Sequence, residues 1–269
     1  MNDINVHWSV LHYTDRPVMT PDVLEQLHRH QVAVNTLEGP ALQIIRSENP
    51  SVFSLGGDLA LFVELIESRS RQRLHQYARQ CIALINFGVN HPKPDLLTVS
   101  MIEGDTYGGG LEMALATDYL IAEEQARFGF PEALFGLFPG MGAYHLLCRR
   151  VSPRLARKMI TTAQTYSARE MLELGLVDEV VAEGAAEASV SRFIKRFGRT
   201  RNAFLATARL ASDYHAISLQ NLEQAITIWV ECALELSDSN LRLMRKLRDA
   251  QLQRWCAEEN TASQKMLVS

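Results

Sequence analysis

The sequence predicts an α/β fold with an all-helical C-terminal region, on three observations. Residues 96–102, Leu-Leu-Thr-Val-Ser-Met-Ile, are apolar and β-branched enough for a buried strand, and they run straight into a glycine-rich loop. Short apolar strands alternate with helix-patterned segments over residues 20–175, the pattern of a β/α core. Beyond residue 183 the periodicity is helical only.

In chain order, Thr20-Pro21-Asp22 reads as an N-cap, a proline at the first helical position and an early acid, so a helix runs through Val23, Leu24 and Leu27. Residues 41–45, Ala-Leu-Gln-Ile-Ile, form a short buried strand. After a turn at Gly56-Gly57-Asp58, residues 59–66 and 74–85 carry apolar side chains at helical spacing, with Leu74, Tyr77, Ala78, Cys81, Ile82 and Ile85 on one stripe. Pro92 and Pro94 stop that helix before the strand at 96–102. A helix opens at Leu111, and strands follow at 119–122 and near Phe128. Helices then span 141–149, 153–162 and 167–174, the last closed by Gly175, and two more cover about 219–236 and 240–255. No repeat interrupts this order, and the turn at Glu183-Gly184 divides a core, 1–182, from a helical region, 183–269.

The 269 residues, 47% hydrophobic, suffice for one large core. A net charge of −4 and a pI near 6.1 argue against nucleic acid as a partner. Cys81, Cys148, Cys232 and Cys256 are scattered, without Cys-x-x-Cys or short Cys/His spacing, and read as reduced core thiols rather than metal ligands. No stretch approaches the roughly 20 apolar residues of a membrane span, and no basic segment leads into an apolar one at the N-terminus, so a cytoplasmic location is expected.

The chemistry gathers at Gly104-Asp105-Thr106-Tyr107-Gly108-Gly109-Gly110, which opens the helix carrying Glu112. Glycines let a ligand approach the backbone, and the first turn of a helix offers N–H groups without intrahelical acceptors. A second acid, Glu132, follows Pro131 among Phe128, Phe130, Leu134 and Phe135, which would desolvate it and raise its pKa. Taken singly, a glutamate early in a helix is more often a solvated partner of the helix dipole, and a glycine triplet is more often a turn. Together they read as two acids beside backbone donors. His145 has no serine or cysteine nucleophile near it in a recognisable elbow and reads as structural. Glu123-Glu124 reads as a solvated turn, and Asp118 as a support for its strand.

In sequence order, Gly56-Gly57-Asp58, Gly104-x-x-x-Gly108-Gly109-Gly110, Glu112, Glu132, Phe138-Pro139-Gly140-Met141-Gly142 and Ser167-Ala168-Arg169-Glu170 leading to Gly175-Leu176-Val177-Asp178 resemble the crotonase (enoyl-CoA hydratase/isomerase) superfamily. The resemblance implies a ββα spiral core and a lyase. It places the oxyanion-hole N–H groups at Gly57 and Gly109, with Gly56 replacing Gly57 if the register differs by one, and the catalytic pair at Glu112 and Glu132. Within the superfamily the chain most resembles the diffusible-signal-factor synthases, over residues 49–62, 130–132, 137–144 and 228–251. That implies a bifunctional dehydratase and thioesterase, converting a 3-hydroxyacyl-acyl carrier protein to a free cis-2-unsaturated fatty acid used in quorum sensing. The alternative is an enoyl-CoA hydratase/isomerase acting on acyl-CoA; a second alternative is a binding protein on the same scaffold that regulates a sensor kinase.

Met141, Trp229 and Leu247 match positions that face the acyl chain in the signal-factor synthases, and Tyr107, bulky where relatives often carry small residues, is a further pocket candidate. The family implies no metal and no cofactor beyond the acyl carrier protein or coenzyme A that carries the substrate. It also implies a homotrimer or dimer of trimers, with a sensor kinase as a possible partner and neither nucleic acid nor membrane. A thioester acidifies its C2 proton only if the enolate oxygen is stabilised, so the chemistry needs fixed donors more than a strong base. One glutamate then removes the C2 proton while the other protonates the departing C3 hydroxyl. Glu132, among aromatics, is assigned the acid and Glu112 the base. In a thioesterase step, either carboxylate would direct water at the same carbonyl.

Overall fold

A computed structural model describes residues 4–266, with side chains to residue 253 and at Trp255. The chain opens with β1 (Asn5–Leu11), α1 (Pro21–Asn35), β2 (Ala41–Ser47), β3 (Val52–Ser54), α2 (Leu59–Glu67) and α3 (Arg71–Asn90). It continues through β4 (Leu96–Ile102), β5 (Asp105–Tyr107), α4 (Gly109–Leu115), β6 (Tyr119–Glu123), β7 (Arg127–Gly129) and a 3-10 turn (Pro131–Phe135). Then come α5 (Ala143–Cys148), α6 (Pro153–Thr162), β8 (Thr165–Ser167), α7 (Ala168–Glu173) and β9 (Glu179–Val181), and finally α8 (Ala186–Tyr214), α9 (Leu219–Leu234) and α10 (Asp238–Met266).

Two sheets result. The larger is parallel throughout, in the order β1-β2-β4-β6-β9, and the smaller runs β3-β5-β7-β8 with only β7 and β8 antiparallel. Three times in succession a strand of the large sheet is followed at once by a strand of the small one: β2 by β3, β4 by β5, β6 by β7. A helical segment then returns the chain, which makes the expected ββα spiral.

All seven residues of β4 are buried, as a central parallel strand covered on both faces requires. Leu97, Val99 and Met101 face Val190, Phe193 and Phe197 of α8, while Ile102 joins the main core beneath α3 and α4. The expected boundary at residue 183 falls in the β9–α8 turn, and α8 beyond it closes one face of the large sheet. Glu123 fastens that helix. Expected at a solvated turn, it is instead buried, and its Oε1 accepts the Ala186 N–H at 3.0 Å. Asp118 supports its strand through Oδ2, which accepts the Thr98 N–H and hydroxyl at 2.8 and 2.9 Å.

Sequence patterning and structure differ in several places, among them the short strands β3, β8 and β9, which the sequence does not predict. Residues 5–11, where the sequence predicts no element, form an edge strand, and residues 105–107, expected as loop, are β5. The helix expected from residue 141 starts at Ala143, because Gly142 before it is left-handed at φ +110°. Cys81 is buried and Cys148 and Cys232 are half-buried, all three with free thiols; the Cys256 side chain lies outside the described residues. Among the described residues no helix is long and apolar enough to cross a membrane.

Candidate active site

β3, β5 and β7 are parallel neighbours, so the segments that leave their C-terminal ends emerge side by side. Those segments carry Gly57, Gly109 and Glu132, and α4 adds Glu112 one turn later. The contact is backbone to backbone. Gly56 has φ +90°, and a Cβ there would lie 2.9 Å from the Gly109 nitrogen, so only glycine lets the two turns meet. Gly56 donates its N–H to Ser54 Oγ at 3.2 Å and is therefore occupied, which removes it as the alternative oxyanion donor. The N–H groups of Gly57 and Gly109 have no acceptor among the described residues.

Glu112 is 1% exposed, and its Oε1 accepts the N–H groups of Met141 and Ala143 at 2.8 Å each. Burial drives its pKa well above the usual carboxylate range, the neighbouring Glu132 adds to the rise, and the two N–H donors oppose it. Because both donors occupy Oε1, a proton held by this carboxyl sits on Oε2. Glu132 lies against Gly108, where φ is +52° and a Cβ would stand 2.5 Å from Glu132 Oε1. Its Oε2 is buried without a partner, and burial raises its pKa to about 7 against a weaker opposing pull from its own N–H. Both carboxyls are thus raised. Two buried carboxyls of raised pKa in one cavity can supply one acid and one base.

The two glutamates, Gly57 and Gly109 line a single cavity of about 450 Å³, counted to its mouth, whose other walls are almost wholly apolar. Phe62 lies against Gly57, Met141 Sδ against Gly109 and the Trp229 indole against Gly140, so three large side chains roof the turns. Phe62 stacks near Trp229 and Tyr77 with ring centroids 4.9 and 5.4 Å apart. Ala78, Cys81, Phe135 and Leu137 complete the lining, and burial pushes the Cys81 thiol up to about 12, which keeps it neutral.

Met141 and Trp229 therefore face the cavity, as sequence placed them. Tyr107 and Leu247 do not. Tyr107 packs with Val18, Val52 and Leu55 beneath the small sheet, and Leu247, half-buried on α10, packs into the main core. Phe135, which the sequence sets beside Glu132, lines the cavity with it, whereas Phe62 and Leu137 carry no such expectation and Tyr77, Ala78 and Cys81 read only as core, since a helical apolar stripe does not reveal which of its members border an empty space. His145 is half-buried outside the cavity lining. Among the described residues no group of three or more His, Cys, Asp or Glu could hold a metal ion.

The family model described as enoyl-CoA hydratase/isomerase matches residues 33–240. A crotonyl-CoA hydratase of Syntrophomonas wolfei is 31% identical over 175 residues, 63% of this chain and 64% of that protein, and the chain spans just under two thirds of the curated relatives it matches. Among solved structures, an enoyl-CoA hydratase/isomerase from Xanthobacter autotrophicus superposes with a TM-score of 0.73 at 25% identity, covering 94% of this chain and 93% of that one. Pseudomonas aeruginosa DspI does so with 0.58 at 25%, covering 97% and 91%. With the model matching well over half of its residues, and with the parallel spiral that brings three strand ends together, the chain belongs to the enoyl-CoA hydratase/isomerase family.

Proposed function

We propose that the protein catalyses the reversible addition of water across the C2–C3 double bond of an enoyl thioester carried by coenzyme A. The observation that carries this reading is the convergence of two buried carboxyls of raised pKa and two unoccupied backbone N–H groups on one apolar cavity. The Gly57 and Gly109 N–H groups would hold the thioester oxygen as it gains negative charge. In hydration, one of the two glutamates, as its carboxylate, takes a proton from water as the oxygen bonds to C3. The other, neutral, gives its proton to C2, and the reverse steps expel water from the 3-hydroxyacyl thioester. The apolar walls suit an aliphatic acyl chain and keep bulk water from competing.

A second reading, the dehydratase and thioesterase that releases a cis-2-unsaturated fatty acid from acyl carrier protein, is supported by the signal-factor-synthase motifs and by Met141 and Trp229 lining the same cavity. Here the same two donors would serve a second time, for the tetrahedral oxyanion formed when water attacks the thioester carbon.

The test is mass spectrometry of products from 2-enoyl-CoA and from 3-hydroxyacyl-acyl carrier protein, with Glu112→Gln and Glu132→Gln in parallel. Hydrated acyl-CoA that disappears in both variants supports the first reading. Glutamate-dependent release of free fatty acid from the carrier protein supports the second, and turnover unaffected by either substitution would sink both.

A further inference from the structure

Residues 16–20 precede the family match, which begins at residue 33, yet they run alongside the Gly56–Gly57–Asp58 turn as a strap. The Leu55 N–H donates to the Pro17 carbonyl at 2.7 Å, and the Met19 N–H donates to the Gly56 carbonyl at 2.8 Å. Arg16 Nη2 donates to both carboxylate oxygens of Asp58, at 2.9 and 2.8 Å, with the Asp58 side chain 6% exposed and that of Arg16 24%. From α3, the Tyr77 hydroxyl donates to the Met19 carbonyl at 2.6 Å and accepts the Asp58 N–H at 3.4 Å.

The Met19 contact decides the direction of a donor. Gly56 C=O and Gly57 N–H belong to one planar trans peptide, so they point in opposite directions. Tying the Gly56 oxygen to Met19 turns the Gly57 N–H away from the strap and toward the cavity. Without the tie that orientation is weakly held, because a peptide between two glycines meets little steric resistance to turning over. Arg16 and Tyr77 hold the two ends of the tie: Arg16 grips Asp58, and Tyr77 bridges Asp58 to Met19.

Resting on the hydration chemistry proposed above, we infer that the strap at residues 16–20, latched by Arg16 and Tyr77, positions the Gly57 N–H as an oxyanion donor. Arg16 and Tyr77 act through the backbone of the turn. Tyr77 also borders the cavity, so its replacement must keep the ring.

Tyr77→Phe and Arg16→Met are compared with the parent protein and with Arg16→Lys, using a 2-enoyl-CoA labelled with carbon-13 at the carbonyl. Misplacing a reacting group by an ångström costs about a hundredfold, so kcat falls about ten- to a hundredfold in both variants while KM changes little. The infrared carbonyl stretch of the bound substrate, lowered by hydrogen bonds in the parent protein, returns toward its free frequency. Arg16→Lys recovers part of both effects. The Met19 amide, protected through Gly56, exchanges its hydrogen faster in both variants whatever the turnover.

Folded variants with unchanged kcat, carbonyl stretch and Met19 exchange overturn the latch. Glu112→Gln and Glu132→Gln run alongside separate the two ideas. If they abolish turnover while the latch variants keep it, the latch alone fails. If neither affects turnover, the reading of the site fails, and Met19 exchange still decides whether the latch exists.

Discussion

The turn at 108–112 and the turn at 56–58 each supply one candidate donor, but the first follows its strand and opens its helix without a break, while the second is held by a strap and a side chain that the sequence places far from it. Gly108 donates to Gly129 across the small sheet, and α4 begins at the next residue, so strand, donor and Glu112 form one continuous segment. The Gly57 turn relies on Arg16, Met19 and Tyr77. A change in the first turn therefore strikes the chemistry directly, whereas a change around the second acts through position and through the packing of α2 and α3.

The largest effect falls on the first turn. Glu112→Gln keeps the two N–H contacts at Oε1 only if its amide oxygen takes that place, and it removes the carboxyl's capacity to give or take a proton; turnover drops about a thousandfold. Stopped assays of hydrated product measure this, and a loss under tenfold would remove Glu112 from the chemistry. Gly108→Ala should cost about a hundredfold without touching either carboxyl chemically, since its Cβ would displace Glu132 Oε1 and its φ of +52° strains any side chain. Equal activity in the alanine variant would show that Glu132 is free to move.

Glu132 couples activity to stability with opposite signs. Its pKa is about 7 in the folded protein against an ordinary 4.5, so the folded state keeps a proton that the unfolded chain gives up. The stability this carboxyl contributes is complete below pH 4.5 and is lost as pH rises through about 7. At roughly 1.4 kcal/mol per unit the loss amounts to about 3 kcal/mol. Glu132→Gln carries no such liability, so urea titrations should find it more stable than the parent at pH 8, with the gap closing toward pH 4.5. Its turnover should be lost at every pH. In the parent, turnover should rise with pH as the first carboxyl of the pair ionises and fall again as the second does.

The contrast between the turns also marks what the sequence reveals. Glycines, helix start and both glutamates of the first turn stand within 29 residues, 104–132, and were legible as a site. The strap was not, because nothing in Arg16-Pro17-Val18-Met19 indicates that it pairs with Gly56; that contact exists only after β1 and α1 are placed. Residues 5–11 alternate Val6, Trp8 and Val10 with polar residues, a fair strand pattern, but an edge position leaves Trp8 39% exposed and weakens the apolar signal. β5 escaped notice for a related reason: three residues flanked by glycine become a strand only through β3 and β7 on either side. The apolar stripe of α3 was read correctly as buried, yet Tyr77 does three things that burial alone does not disclose. It borders the cavity, holds Met19 and receives Asp58.

The smallest predicted effect tests whether the second turn is separable from the fold. Asp58 is the N-cap of α2, its Oδ1 accepting the N–H groups of Ala60 and Leu61 at 3.0 and 3.2 Å while both oxygens hold Arg16. Asp58→Asn keeps an oxygen for the cap and loses the charge that pairs with Arg16; Asp58→Ala loses both. Removing a cap of this kind costs about 1–2 kcal/mol, so thermal unfolding of the alanine variant should fall by about 3–6 °C and that of the asparagine variant by less. Turnover separates the roles. If the turn is held chiefly by the ion pair, Asn and Ala lose similar activity despite unequal stability. If the cap dominates, activity follows the melting temperature, and the two turns differ less than their contacts suggest.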